Sequence, residues 1–96
     1  MNTTDLQFIT TVLSKHLPAG NVRAFVFGSR ADGKASKYSD YDIGLEGKHI
    51  DPTTLFNINQ EFEESDFPYT VDLIDFDRVS DDFKQVAMQN IIEIKL

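Results

Sequence analysis

Two stretches of this chain are built like buried strands, yet each carries an aspartate among its apolar residues. In Tyr41-Asp42-Ile43-Gly44-Leu45 the carboxylate is flanked by side chains suited to a core, and Tyr69-Thr70-Val71-Asp72-Leu73-Ile74 repeats the pattern further along. An ionised carboxylate in such surroundings is costly unless it is paired or coordinates a metal. Two strands that each carry such an acid suggest a shared carboxylate cluster, which raises its own pKa values by repulsion unless a divalent cation neutralises it. Asp40 adds a third acid. Strand side chains alternate between faces, so Asp40 and Asp42 point the same way, with Cα atoms roughly 6–7 Å apart.

Local patterns supply the frame around these strands. Thr4-Asp5-Leu6-Gln7 fits a capping box with Thr4 as N-cap, and Leu6, Ile9, Val12/Leu13 and His16/Leu17 recur at helical spacing. This predicts a helix over 4–16, ended by Pro18-Ala19-Gly20-Asn21. Val22–Phe27 is β-branched and aromatic, which predicts a strand bounded by Gly28. Residues 29–39 read as a short helical turn and a loop. A second strand covers Tyr41–Leu45, ended by Glu46-Gly47-Lys48. Asp51-Pro52 starts a helix reaching about Ser65, with Leu55, Ile58 and Phe62 on its apolar face. Phe67-Pro68 breaks it before a third strand over 69–74. Ser80-Asp81-Asp82 opens a last helix bearing Phe83, Val86/Ala87, Asn90/Ile91 and Ile94, with its acidic pair at the favourable end of the dipole. The order α-β-(loop)-β-α-β-α predicts one α/β (α+β) domain over 1–96, a small three-strand mixed or antiparallel sheet packed with helices.

Composition removes several function classes. The chain has no Cys, which excludes disulfides, thiolate catalysis and Cys-ligated metals. The N-terminal stretch lacks the basic and apolar regions of a signal peptide, and no window is apolar enough for a membrane span, so the expected compartment is the cytoplasm. Residues 1–48 hold six Lys/Arg against five Asp/Glu, while 49–96 hold three against eleven. An acidic body repels a phosphate backbone, so long nucleic acid is not an expected partner. The cations Arg30, Lys34 and Lys37 crowd one loop, which suits a small phosphate-bearing ligand or simply a solvated surface.

Three carboxylates without a neighbouring His or Cys make a hard oxygen site, which favours Mg²⁺ or Mn²⁺ over zinc. Two such ions about 3.5–4 Å apart can clamp the attacking and leaving oxygens of a phosphoryl displacement. Gly28 lets the backbone approach a ligand, Ser29 offers a hydroxyl and an N–H at a helix start, and Arg30 is a bidentate cation for the same phosphate oxygens. Each piece alone is common: Gly-Ser after a strand is usually a turn, Asp-x-Asp is often a capping pair, and Asp72 could face water from an edge. Their order and spacing together favour the metal reading. His16 and His49 read as surface residues, and Glu61, Glu63 and Glu64 as the solvated face of their helix.

Phe27-Gly28-Ser29-Arg30-Ala31 followed by Ser39-Asp40-Tyr41-Asp42-Ile43 resembles the signature of the DNA polymerase beta-like nucleotidyltransferase superfamily, and Val71-Asp72-Leu73 looks like its third carboxylate strand. Within it the chain is similar to the minimal nucleotidyltransferases over nearly all its length. Glu64-Ser65-Asp66-Phe67-Pro68 resembles a subgroup described as the nucleotide-binding half of a two-protein transferase. The resemblance implies the polymerase beta-like fold and transfer of a nucleoside monophosphate, AMP from ATP, to a hydroxyl. It implies that Asp40 and Asp42 hold two Mg²⁺ ions, and that Asp72 completes the first metal site and helps deprotonate the acceptor. Gly28 and Ser29 would hold the β/γ-phosphates, with Arg30 and Ser39 also among the nucleotide-binding residues. It further implies pairing with a separate helical-bundle protein of the HEPN type, as antitoxin with toxin, and adenylylation of that partner.

Two other functions stay open. Transfer to a small molecule would need an acceptor-binding domain for which 96 residues leave little room. A non-catalytic antitoxin could act by occlusion, though the intact aspartates speak against it. Arg30-Ala31-Asp32-Gly33 also departs from the more usual Arg-Ala-Arg-Gly, putting an acid where many relatives carry a cation. A sheet covered by helices on one face would leave its other face partly open, and the acidic second half suits a more basic partner.

Overall fold

A computed structural model of the chain describes residues 3–18, 20–36, 39–47 and 50–96. Ala19, Lys37, Lys48 and His49, read above as turn or surface residues, lie outside the described residues. The elements run α1 (Thr3–His16), β1 (Val22–Phe27), α2 (Ser29–Asp32), β2 (Tyr41–Gly47), α3 (Pro52–Glu64), β3 (Val71–Asp75), α4 (Asp81–Ala87) and β4 (Ile92–Ile94). Among the described residues the sheet has four strands in the order β3-β2-β1-β4. β1 is antiparallel to both its neighbours, and β2 and β3 are parallel.

Alternation along β1 shows why the sheet is covered on both sides. Ala24 and Val26 join the main core, which α1 fills with Ile9, Val12 and Leu13 and α3 with Ile58 and Phe62. Phe25 and Phe27 point the other way and form a second cluster with Phe76, packed against Ile74, Val79, Ala87, Met88 and Ile91. The second face is thus roofed in part by α4 and an aromatic cluster, where helices on one face alone were expected. On β2 the same alternation puts Tyr41, Ile43 and Leu45 in the main core and leaves Asp42 and Gly44 on the aromatic face.

The starts of α3 and α4 formed as the sequence predicts. The Asp51 carboxylate accepts from Thr53 N at 2.8 Å with Pro52 at the first helical position, and Ser80 Oγ accepts from Phe83 N at 3.2 Å. Other expectations need correction. α1 starts at Thr3, so Thr4 lies inside the helix and not at the N-cap position before it. β3 starts at Val71, because Pro68 and the bend after it delay pairing until the chain runs beside β2. The last helix stops at Ala87, and Ile92–Ile94 becomes a fourth strand. Ile91 and Ile94 keep helical spacing, but Ile92-Glu93-Ile94 also alternates, and pairing with β1 satisfies a backbone edge that would otherwise be open. Glu93 then meets the Arg23 guanidinium across the strands. Glu61 is also less free than its helix face suggested. It accepts from Lys15 Nζ at 2.8 Å and lies 2.9 Å from His16 Nε2, joining α3 to α1.

Gly44 marks the tightest packing on the aromatic face. A Cβ there would lie 2.3 Å from Phe25 Cε2 and 2.7 Å from Phe76 Cε1, two rings in edge contact at 4.8 Å. Gly44→Ala is expected to cost about 1–3 kcal/mol through forced displacement of those rings. A lowered urea midpoint at unchanged slope would register it, whereas an unchanged midpoint would mean that the rings move aside freely.

Candidate active site

The site is built where β1 ends and β2 and β3 begin. β1 runs out at Phe27, whose register partner on β2 is Asp42. Gly28 then turns the chain into α2 with φ 71° and ψ −152°, a region open essentially only to glycine. It is also pressed against the acid: a Cβ on Gly28 would lie 2.4 Å from Asp42 Oδ2. Two independent constraints therefore require glycine at this position. Ala31 N and Asp32 N donate to Gly28 O at 3.0 and 3.1 Å. The Ser29 and Arg30 amides belong to the first turn, where a helix has no acceptor of its own to offer.

Parallel pairing of β2 and β3 sets Asp42 directly opposite Asp72, both on the aromatic face. Asp40 immediately precedes β2 and is exposed, while Asp42 is half-buried. Asp72 is exposed, not buried as its apolar flanks suggested, because β3 is an edge strand. Burial holds the Asp42 carboxyl above its ordinary range, and the charges of Asp72 and then Asp40 push it further. Both other acids thus act on Asp42. Among the described residues no three ligand-type side chains are drawn into a ready-made cage. An all-carboxylate group with this mutual repulsion fits a hard divalent cation, which would neutralise it.

Arg30 is placed differently from a free phosphate cation. Its guanidinium lies 4.4 Å from the Tyr41 ring centre and 4.5 Å from that of Tyr69. Nε and Nη2 donate to Ser39 O at 3.1 and 2.6 Å. Arg30 therefore ties α2 to the residue before Asp40 and to the approach of β3. Ser39 Oγ accepts from Ser36 N at 3.0 Å, which folds the loop on itself. Asp32 is exposed at the end of α2 and accepts from Lys34 N at 3.0 Å. Sequence reasoning missed Tyr41, Tyr69 and Asp5 as parts of the site's support. Tyr41 is fully buried, and its hydroxyl donates to Asp5 at 2.7 Å. Burial, then that bond, raises the phenol well above its usual range. No local pattern marks a stack formed by residues 30, 41 and 69.

Fold and site together define a nucleotidyltransferase. Residues 7–95 match the family described as Polymerase beta, Nucleotidyltransferase, and the chain belongs to that family, as a minimal member. Enzymes of this family generally use divalent metal ions. The chain is 35% identical over 92 residues to the probable protein adenylyltransferase MntA of Haemophilus influenzae, covering 95% of this chain and 79% of that one. A toxin–antitoxin crystal structure with AMP-PNP has the same fold, at TM-score 0.75 and 22% identity over 93% of this chain and 71% of that one. So does the complex of a tri-AMPylated Shewanella oneidensis HEPN toxin with an MNT antitoxin, at TM-score 0.72 and 21% identity over 98% and 71% of the two chains.

Two outcomes follow from the geometry. The fold raises the Asp42 pKa, so it favours the protonated acid. That contribution is complete below the unfolded value near 3.8 and is lost as pH rises through the raised folded value. In EDTA at pH 7, Asp42→Asn should therefore raise Tm, with a smaller gain below pH 4; an equal gain at both pH values would remove the repulsion account. Arg30→Lys keeps the charge but loses the planar stack and fork, which should cost about 1–3 kcal/mol in urea denaturation without ligand. A residue serving phosphate alone would leave that stability unchanged.

Proposed function

We propose that this chain transfers AMP from ATP to a hydroxyl on a separate HEPN-type helical protein, as the antitoxin half of a two-protein system. The observation that carries the reading is the register that sets Asp42 beside Asp72 with the Gly28-Ser29 turn against Asp42. The names of its relatives support the acceptor class: one is a probable protein adenylyltransferase, and one solved neighbour contains an AMPylated HEPN toxin. In this reading residues 1–96 are one transferase domain. ATP as donor sets the reaction in the cytoplasm; among the described residues no helix is long and apolar enough to cross a membrane.

The chemistry is a displacement at the α-phosphorus. The acceptor oxygen bonds to that phosphorus, the bond from it to the α–β bridging oxygen breaks, and pyrophosphate leaves with the bond's electron pair. Asp72, exposed on the edge strand β3, takes the hydroxyl proton. Asp40, Asp42 and Asp72 would hold two Mg²⁺ ions, which supply charge neutralisation at the phosphates. Ser29 and the first amides of α2 hold the β/γ-phosphates. Arg30 holds Ser39, and through it the Asp40 segment, in position.

Co-expression with a HEPN partner followed by intact-mass measurement tests the proposal. The partner should gain the mass of AMP with the wild type, and gain nothing when Asp40, Asp42 and Asp72 are all Asn. Association without any mass gain would favour neutralisation by occlusion. Ser29→Ala should weaken ATP binding in Mg²⁺ by about 10–100-fold, the worth of a hydrogen bond to a charged group, with Tm unchanged.

A further inference from the structure

We propose that the hollow between α2 and α4 receives the base of the nucleotide, with the open side of Phe83 as its stacking surface. The inference rests on the reading of the chain as an NTP-using transferase and adds to it the site that selects the base.

α4 does not bury its apolar side chains as a covering helix should. Phe83 remains 43% exposed and Val86 68% exposed. Phe83 packs against only part of the aromatic cluster, 6.1 Å from Phe27 and 5.8 Å from Phe76 between ring centres. Its remaining surface lines a hollow of about 250 Å³, bounded also by Phe27, Gly28, Asp32, Val86 and Asn90. That is below the roughly 300–1,000 Å³ of a site for a whole drug-sized ligand, so it suits one ring system and not an entire nucleotide.

Position and charge identify the occupant. Phe27 pairs with Asp42, and Gly28 backs onto its carboxylate, so the hollow opens beside the reacting centre. A larger hollow, about 580 Å³ beside His16 and Val22, lies at the opposite end of β1, roughly 17 Å along the strand. Among the described residues, the one charged residue lining the smaller hollow is Asp32, the acid that departs from the Arg-Ala-Arg-Gly pattern. A carboxylate there repels phosphate, so the triphosphate does not enter. It accepts hydrogen bonds from an exocyclic amine, and the Asn90 amide can both donate and accept, as asparagine does with the N6/N7 edge of adenine. An apolar ring with an acid and an amide at its rim selects an aminated base: adenine over uracil.

Calorimetric titration in Mg²⁺ with ATP, UTP and inorganic tripolyphosphate tests this in the full chain. Phe83→Leu keeps apolar packing but removes the π surface, and Val86→Gln obstructs the hollow without added charge, from an exposed position that the fold tolerates. Stacking of one base predicts ATP binding about five- to hundredfold weaker in Phe83→Leu. Val86→Gln should weaken ATP similarly, while both variants bind tripolyphosphate within twofold of the wild type, which also verifies their fold. The wild type should prefer ATP to UTP. Unchanged ATP affinity in both variants, equal losses for ATP and tripolyphosphate, or wild-type ATP binding no tighter than tripolyphosphate each overturns the base site and leaves the transferase reading standing. A wild type that binds neither ligand overturns both.

Discussion

Parallel pairing between β2 and β3 sets Asp42 opposite Asp72, and nearly every other feature of the site depends on that register. Parallel neighbours cannot be joined by a tight hairpin and need a crossover, which α3 provides. α3 packs with α1 on the main-core face, so the face bearing the aspartates is left for chemistry. A slip of one residue in β3 would turn Asp72 into the main core and Leu73 out of it. The burial of Leu73 and Val71 against that core is thus what keeps the acid in place.

The aromatic face serves both as second core and as site wall, and the demands conflict. Phe25, Phe27 and Phe76 exclude water beside Asp42, which raises its pKa and makes the ionised acid unfavourable without a counter-charge. Gly28 and Gly44 resolve the crowding by omitting a side chain, one against the carboxylate and the other beneath the rings. The site is therefore dry and close-packed on its inner side and open to solvent at the sheet edge. That asymmetry suits a group transfer in which the nucleotide is held against the protein and the acceptor arrives from outside.

Positioning comes from the opposite face. Tyr41 belongs to the main core, and its ring supports the guanidinium of Arg30 above it. Through Ser39 O that one side chain couples the phosphate turn to the segment that presents Asp40. The Tyr41 hydroxyl extends the chain of contacts to Asp5 on α1. Core packing and site geometry are in this way parts of one arrangement, linked through a single strand whose odd and even residues serve different layers.

Much of the fold was legible because it depends on near neighbours. The β1 run, the Asp51-Pro52 and Ser80 helix starts, and the Gly28-Ser29 turn between strand and helix follow from propensity and capping, which act over three or four residues. The aspartates themselves stood out because a carboxylate in an apolar strand is costly wherever the strand lies. The rest involves partners far apart in the chain. Ile92–Ile94 became a strand because β1 had an unpaired edge, which no local pattern records. Asp72 is exposed because β3 ended up at the sheet's margin, and Glu61 is paired because α3 crossed α1 beside Lys15 and His16. Arg30 lies between Tyr41 and Tyr69, a stack that its reading as a bidentate phosphate cation did not include. The sequence by itself determined which residues could form strands, caps and a carboxylate site, since those are short-range preferences. Only the tertiary structure decided which of them met, because strand pairing and ring stacking draw their energy from contacts between residues that the chain keeps far apart until it folds.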